Sequence, residues 1–357
     1  MKILITGACG FVGSALSLAL RERREGLEIT GVDNFLRPGS EVNRTRLARA
    51  GVRVVHGDVR MTSDWQNLPP ADWVIEAAAN PSVLGGIDGR GSARQLLEQN
   101  LWGGVESLEY CRSHGAGLVV LSSSRVYSIQ ALAKAPLSER GEAFALDETV
   151  ELPEGLSGEG IGVSFSTEPP LSLYGASKRA FELLALEYGG AFGIPVWVNR
   201  CGVMAGAGQF GTADQGIFSF WIHAHARRAP LRYLGFGGSG YQVRDALHPR
   251  DLAGLIEAQI EQGRTGGPRT YTLGGGASNA MSLRQLTLWC DSRFGRHAVE
   301  SDGRERPFDL PWVVMDSAAA ERDFRWRRET AMEDILNEIA GHAEANPQWL
   351  ELSGWRA

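Results

Sequence analysis

Cysteine is scarce in this chain. Its four residues, Cys9, Cys111, Cys201 and Cys290, are widely scattered, with no Cys-x-x-Cys pair and no spacing with the seven histidines that suits zinc. A disulfide framework and a metal centre are therefore not expected, and the thiols read as free and buried in a reducing compartment. An excess of positive charge is missing too. Lys and Arg number 36 against 42 Asp and Glu, a net charge of −6, which leaves no bulk field for nucleic acid. No apolar run reaches the ~18 residues that a membrane-spanning helix needs. The opening Met-Lys-Ile-Leu-Ile-Thr-Gly has too short an apolar stretch for a signal peptide and enters a glycine turn at once. The cytoplasm is the expected location. Internal repeats and low-complexity tracts are lacking as well.

The chain does hold ample material for a buried core. Its 357 residues are 43% hydrophobic and 22% charged, the balance of a soluble globular protein of one large domain or two lobes. Over the first two hundred residues short apolar runs alternate with helical periodicity. Lys2 to Thr6, Glu28 to Asp33, Arg53 to His56, Trp73 to Glu76, Leu118 to Ser122 and Pro195 to Asn199 read as strands. Phe11 to Arg24, Ala93 to Ser113 and Tyr174 to Phe192 read as helices. This alternation predicts an α/β fold, a doubly wound parallel sheet with helices on both faces and ligands outside the carboxyl ends of the strands. Residues 1–200 form the expected dinucleotide-binding domain. Residues 201–357, rich in Gly and aromatics and less regular, form a smaller lobe over the cleft. The stretch from Ser128 to Ser172 resists assignment and reads equally as a lid or as a solvated acidic excursion with some helix of its own.

Gly7, Gly10 and Gly13 follow the first strand directly, with Phe11 and Val12 opening the helix between the last two. Glycines here let the backbone turn tightly and approach a pyrophosphate, which the positive end of the helix also attracts. Asp33, 20 residues after Gly13, ends the second strand. A carboxylate there accepts hydrogen bonds from both ribose hydroxyls of an adenosine and repels a 2′-phosphate, so NAD is favoured over NADP, with Arg37 nearby the one argument for NADP. Asp58, followed by Val59 after the third strand, is a candidate contact to the adenine amine.

Tyr174 and Lys178 stand four apart in Leu-Tyr-Gly-Ala-Ser-Lys-Arg, on one face of a helix. A phenol beside a fixed ammonium loses its proton below the unperturbed pKa of ~10 and becomes a general base. A serine cluster, Ser122-Ser123-Ser124, follows the fifth strand, where a hydroxyl faces a bound nicotinamide.

As a set, these motifs resemble the extended short-chain dehydrogenase/reductase family, specifically its nucleotide-sugar epimerases and dehydratases, over about residues 1 to 275. The set comprises Thr6-Gly7 through Gly13, Asp33-Asn34, Asp58, Ala77-Ala78, the serine cluster, Tyr174 to Lys178, Arg200 and Arg244-Asp245. The resemblance implies Ser123, three residues before Val126, as the catalytic hydroxyl beside Tyr174 and Lys178. It places Asn34, Val59, Ala77, Ala78 and Asn100 with the glycines and Asp33 around NAD. It gives Arg244 to the nucleotide diphosphate, where a guanidinium fork suits phosphate, and puts Ser124 and Arg200 beside the sugar. It also implies a homodimer through the helices that include that of Tyr174.

Met204, Gln209-Phe210 and Asp214-Gln215-Gly216 are similar to a segment of the CDP-paratose (CDP-tyvelose) 2-epimerases, which makes Gln209 and Gln215 substrate-contact candidates. Ala205 replaces a tyrosine usual in that branch, and Gly202-Val203 replaces a polar pair. The 4,6-dehydratases carry Asp-Glu where this chain has Ser124-Arg125, and an arginine moves no proton at neutral pH. The expected activity is therefore NAD-dependent epimerisation of a nucleotide-diphosphate sugar through a transient keto sugar. A 4-epimerase, a reductase releasing NADH and a non-catalytic NAD-binding scaffold are the alternatives.

Overall fold

A computed structural model of the chain describes residues 1–87, 89, 91–263 and 269–355. Its centre is a seven-stranded, wholly parallel sheet. The strands are Lys2–Thr6 (β1), Glu28–Asp33 (β2), Arg53–His56 (β3), Trp73–Glu76 (β4), Gly117–Ser123 (β5), Val196–Cys201 (β6) and Thr270–Leu273 (β7). They lie in the order β7-β6-β5-β4-β1-β2-β3. The order reverses between β1 and β4, and this switch point opens a crevice at the carboxyl ends of both strands.

The strands are near-continuous apolar runs because both faces are covered. Alternate residues divide between the two layers. Ile3, Ile5, Val119 and Leu121 pack with the helices Phe11–Arg23 and Pro249–Gln262. Leu4, Val74, Leu118 and Val120 pack with Leu108 of the helix Gly103–His114 and with Phe181 and Ala185 of the helix Leu173–Phe192. Burying each such side chain contributes roughly 1.5–3 kcal/mol.

Six of the seven strands fall where the sequence places them, within two residues at either end. The seventh, β7, lies beyond Arg200 and pairs with β6 from Val198 to Cys201. The helix Pro249–Gln262 also returns to the sheet. A division of the chain at Arg200 therefore does not separate the lobes. The single helix read over Ala93 to Ser113 is three pieces, Ala93–Leu97, a widened turn at Glu98–Trp102 and Gly103–His114. The widened turn carries Asn100 inward.

The segment 128–172 is packed rather than solvated, although it does carry helix of its own. It holds a short helix, Ile129–Ala133, and two small antiparallel hairpins. Leu132, Leu146, Leu156, Ile161 and Phe165 bury themselves against Val243, Leu310 and Trp312–Met315 in a core of their own. Backbone hydrogen bonds tie Ile161 to Val314 and Asp316, and Phe144 to Tyr241. Beyond it, the helices Ile217–Ala226, Leu283–Phe294 and Met332–Ala345 enclose the second lobe's core around Trp221, Leu286 and Ile339. All four cysteines are free and buried.

Candidate active site

Two cavities adjoin at Gln215 and Gly216. The first, about 490 Å³, runs along the carboxyl ends of β1, β2 and β4. Gly7, Gly10, Phe11, Val12 and Gly13 form its floor, Asp33, Asn34, Asp58 and Val59 one end, and Ala77, Ala78, Ser122, Tyr174 and Lys178 the other. The glycines are required by space. Gly7 has φ +63°, and a Cβ on Gly13 would stand 2.2 Å from the Gly7 carbonyl oxygen. The helix Phe11–Arg23 starts at Gly10 with no side chain capping it, so its first N–H groups stay open to a ligand. A cradle that a single methyl would fill, an uncapped helix N-terminus and a buried carboxylate suit a dinucleotide pyrophosphate and its adenosine ribose.

Asp33 has a second task. One carboxylate oxygen accepts the Cys9 N–H at 2.8 Å and the other the Phe35 N–H at 2.8 Å, so it pins the glycine loop and the turn after β2. Burial pushes its carboxyl above the usual aspartate value, against the pull of those amides. Asp58 accepts a bidentate pair from Arg60, at 2.9 and 2.6 Å, and a bond from Asn34. Its pKa falls to about 2, chiefly through Arg60. Arg37 does not stand free for a 2′-phosphate. Its guanidinium is half-buried, donating to Gln215 Oε1 at 3.0 Å and to the Phe210 carbonyl.

Ser172 caps the helix Leu173–Phe192 by accepting the Gly175 N–H at 3.0 Å, which fixes the first turn that carries Tyr174. Tyr174 is buried yet lines the cavity, and among the described residues its hydroxyl makes no hydrogen bond. One turn on, Lys178 is 2% exposed and donates to Glu76 Oε2 at 3.2 Å. Burial works against the ammonium, but Glu76 and Tyr174 more than offset it, and Lys178 stands above the ordinary lysine value. Ser123 ends β5 half-buried. Its oxygen accepts the Arg125 N–H at 3.1 Å, which leaves its O–H free to donate. Ser122 instead donates to Glu182 at 2.5 Å.

The second cavity, about 430 Å³, lies toward the second lobe and shares Gln215 and Gly216 with the first. Arg125, Arg244 and Arg306 line it. Arg244 donates to Asp309 at 3.0 Å, Arg306 to Asp214 at 2.9 Å and Arg125 to the Phe308 carbonyl at 2.7 Å. Burial, then the neighbouring Arg244, lowers Arg125 to about 10, and the guanidinium groups share this wall with the carboxylates of Asp214 and Asp309.

The remaining candidates from the sequence lie elsewhere. Gln209 lines the dinucleotide cavity and donates to the Met204 carbonyl. Ser124 is buried in the turn after β5. Asn100 reaches the loop at Asn80, accepting its N–H at 2.7 Å and donating to its carbonyl and to Ser177. Arg200 is spent on Glu182, Tyr127 and the Val163 carbonyl. Sequence reasoning passed over Glu76, Glu182, Arg306 and Asp309. Only Glu76 left a signal, an acid closing the apolar run Trp-Val-Ile at the switch point.

Known proteins share this chain's sequence and fold. The chain is 30% identical over 328 residues to CDP-paratose 2-epimerase of Salmonella typhi, covering 88% of this chain and 93% of that one. It is 26% identical to UDP-glucuronate 4-epimerase 2 of Arabidopsis thaliana, over 95% of this chain and 75% of that one. The crystal structure of UDP-glucuronic acid 4-epimerase from Bacillus cereus in complex with UDP-glucuronic acid and NAD has the same fold. It superposes with a TM-score of 0.75 at 22% identity, over 97% of this chain and 99% of that one. The profile of the NAD dependent epimerase/dehydratase family matches residues 3–274, and the chain belongs to that family.

Proposed function

We propose that the chain inverts one carbinol centre of a nucleotide-diphosphate sugar, most like a CDP-paratose 2-epimerase. The observation that carries this reading is the placement of Tyr174. Its hydroxyl opens into the dinucleotide cavity, one helical turn from a buried ammonium and next to a second cavity walled by guanidinium groups. NAD, when bound, supplies the acceptor and donor of hydride. Tyr174 takes the proton from the sugar hydroxyl and returns it after the sugar has turned over. Ser123, with its acceptor side occupied by Arg125, donates to the reacting oxygen. Lys178 keeps positive charge beside the phenol. Arg244 and Arg306 hold the diphosphate by guanidinium forks, and Gln215 joins the two cavities. Elimination of water lacks support, because an arginine occupies position 125.

The reading includes a cytoplasmic homodimer. Leu183, Leu184 and Phe192 of the Tyr174 helix and Trp102 beside it are large, apolar and exposed, a face that a second copy would cover. Among the described residues no helix is long and apolar enough to cross a membrane.

A thermal-shift panel of CDP-, UDP-, GDP- and dTDP-sugars with NAD present identifies the nucleotide, since a ligand of the folded state raises its melting temperature. Product configuration, read by NMR, then identifies the inverted carbon. Tyr174→Phe is expected to lower kcat by about 10²–10⁴-fold; full turnover in that variant refutes the reading.

A further inference from the structure

We propose that Glu76 is a positioning residue for Lys178, the counter-charge that keeps this buried side chain an ammonium and aims it at the reacting end of the cavity. This rests on Tyr174 and Lys178 being the reacting pair.

The geometry is direct. Glu76 ends β4 at the switch point and is 3% exposed, against 2% for Lys178. Its Oε2 is the sole hydrogen-bond acceptor of Lys178 Nζ among the described residues, at 3.2 Å. The Thr6 hydroxyl accepts the N–H groups of the next two residues, Ala77 and Ala78, which fixes the backbone from which Glu76 projects. An ammonium so removed from water tends to shed its proton unless an anion stands beside it. Glu76 faces Lys178 from β4, Tyr174 from its own helix and Cys201 from β6. Cys201 is neutral, its thiol pushed up to about 12 by burial. Arg125 faces Tyr174 from the turn after β5 and supplies no negative charge. Among the described residues the carboxylate placed to hold Lys178 charged is therefore that of Glu76. Burial raises the carboxyl of Glu76 itself, with Lys178 pulling it back, so each charge depends on the other.

Glu76→Gln keeps the shape and the acceptor and removes the charge. Lys178 then loses the influence that raises it, and burial favours the neutral amine. The alkaline limb of the pH–rate profile moves down, by about 1 to 3 pH units, the effect of one close charge. Glu76→Asp restores most of the parent profile. An alkaline limb that stays in place, with the rate merely scaled, overturns the proposal. Melting temperatures give a second measure, independent of turnover. The double variant E76Q/K178M leaves no unpaired buried charge and is expected to melt above both E76Q and K178M. If E76Q does not fold, K178M against the double variant still decides, and a double variant no more stable than K178M refutes the pairing. Tyr174→Phe run in parallel separates the two readings. Full turnover there removes the catalytic assignment, while the melting comparison still tests the pair.

Discussion

Removing Glu182 tests the scaffold behind the reacting face. Its carboxylate is fully buried on the helix that carries Tyr174. It accepts from Arg200 at 3.1, 3.2 and 2.8 Å, from Arg179 at 3.0 Å and from Ser122 at 2.5 Å. Glu182→Ala leaves the Arg200 guanidinium buried beside an empty space, with the Tyr127 ring and the Val163 carbonyl as its remaining partners. Breaking one side of a buried pair costs about 3–5 kcal/mol. Arg179 is the more exposed partner and adds little. At an unfolding entropy of about 2.1 cal/mol/K per residue, a cooperative unit of this length loses roughly 1.3 °C of Tm per kcal/mol. The variant should melt about 4–7 °C below the parent by scanning calorimetry. A companion, Glu182→Leu with Arg200→Met, should recover most of that loss, because two apolar residues leave no charge unpaired. A Tm for Glu182→Ala within 1 °C of the parent would refute the reasoning. It would mean that Arg200 escapes to water and is free to meet substrate after all.

Two further outcomes follow from the geometry. Gly13→Ala places a methyl 2.2 Å from the Gly7 carbonyl oxygen, so the loop must open, and NAD affinity measured by calorimetry should fall by about 5- to 150-fold, the roughly 1–3 kcal/mol that forcing a methyl into filled space costs. Asp245 is fully buried, and burial lifts its carboxyl to about 7 against backbone amides. The folded chain therefore binds this proton more tightly than the unfolded one, and the group's contribution to stability falls as pH rises from about 4 to 7 and is flat above. That slope amounts to at most about 4 kcal/mol. Asp245→Asn should remove it, visible as a shallower loss of urea-midpoint stability over that window than the parent shows.

Local spacing made much of the fold legible. The strands β1 to β6 are short apolar runs bounded by Gly, Pro or charged residues, and burial on both faces is what such runs demand. Nothing local marks the strand β7, which lies in the irregular half of the chain. The segment 128–172 failed for a different reason. Its apolar residues have no helical or strand period of their own, since their partners are Val243 and Leu310 to Met315, 78 to 183 residues further along the chain. The split of the helix read over Ala93 to Ser113 is tertiary too. Asn100 lies in the widened turn and bonds the Asn80 backbone, a contact 20 residues away that no local propensity announces.

The site divides along the same line. The glycine cradle, Asp33, Tyr174 and Lys178 are readable because each lies within one element or one turn, where a fixed offset sets a fixed geometry. The charges that govern them are not local. Glu76 meets Lys178 across 102 residues, Arg244 meets Asp309 across 65, and Arg306 meets Asp214 across 92. A sequence motif can thus name the atoms that exchange a proton, while the field that sets when they do so is assembled only by folding. The same argument explains why the nucleotide and sugar resist reading from the sequence. Their wall is built from the turn after β5, from Arg244 and from residues 304–309, segments that carry no motif singly and converge only over the carboxyl ends of the sheet.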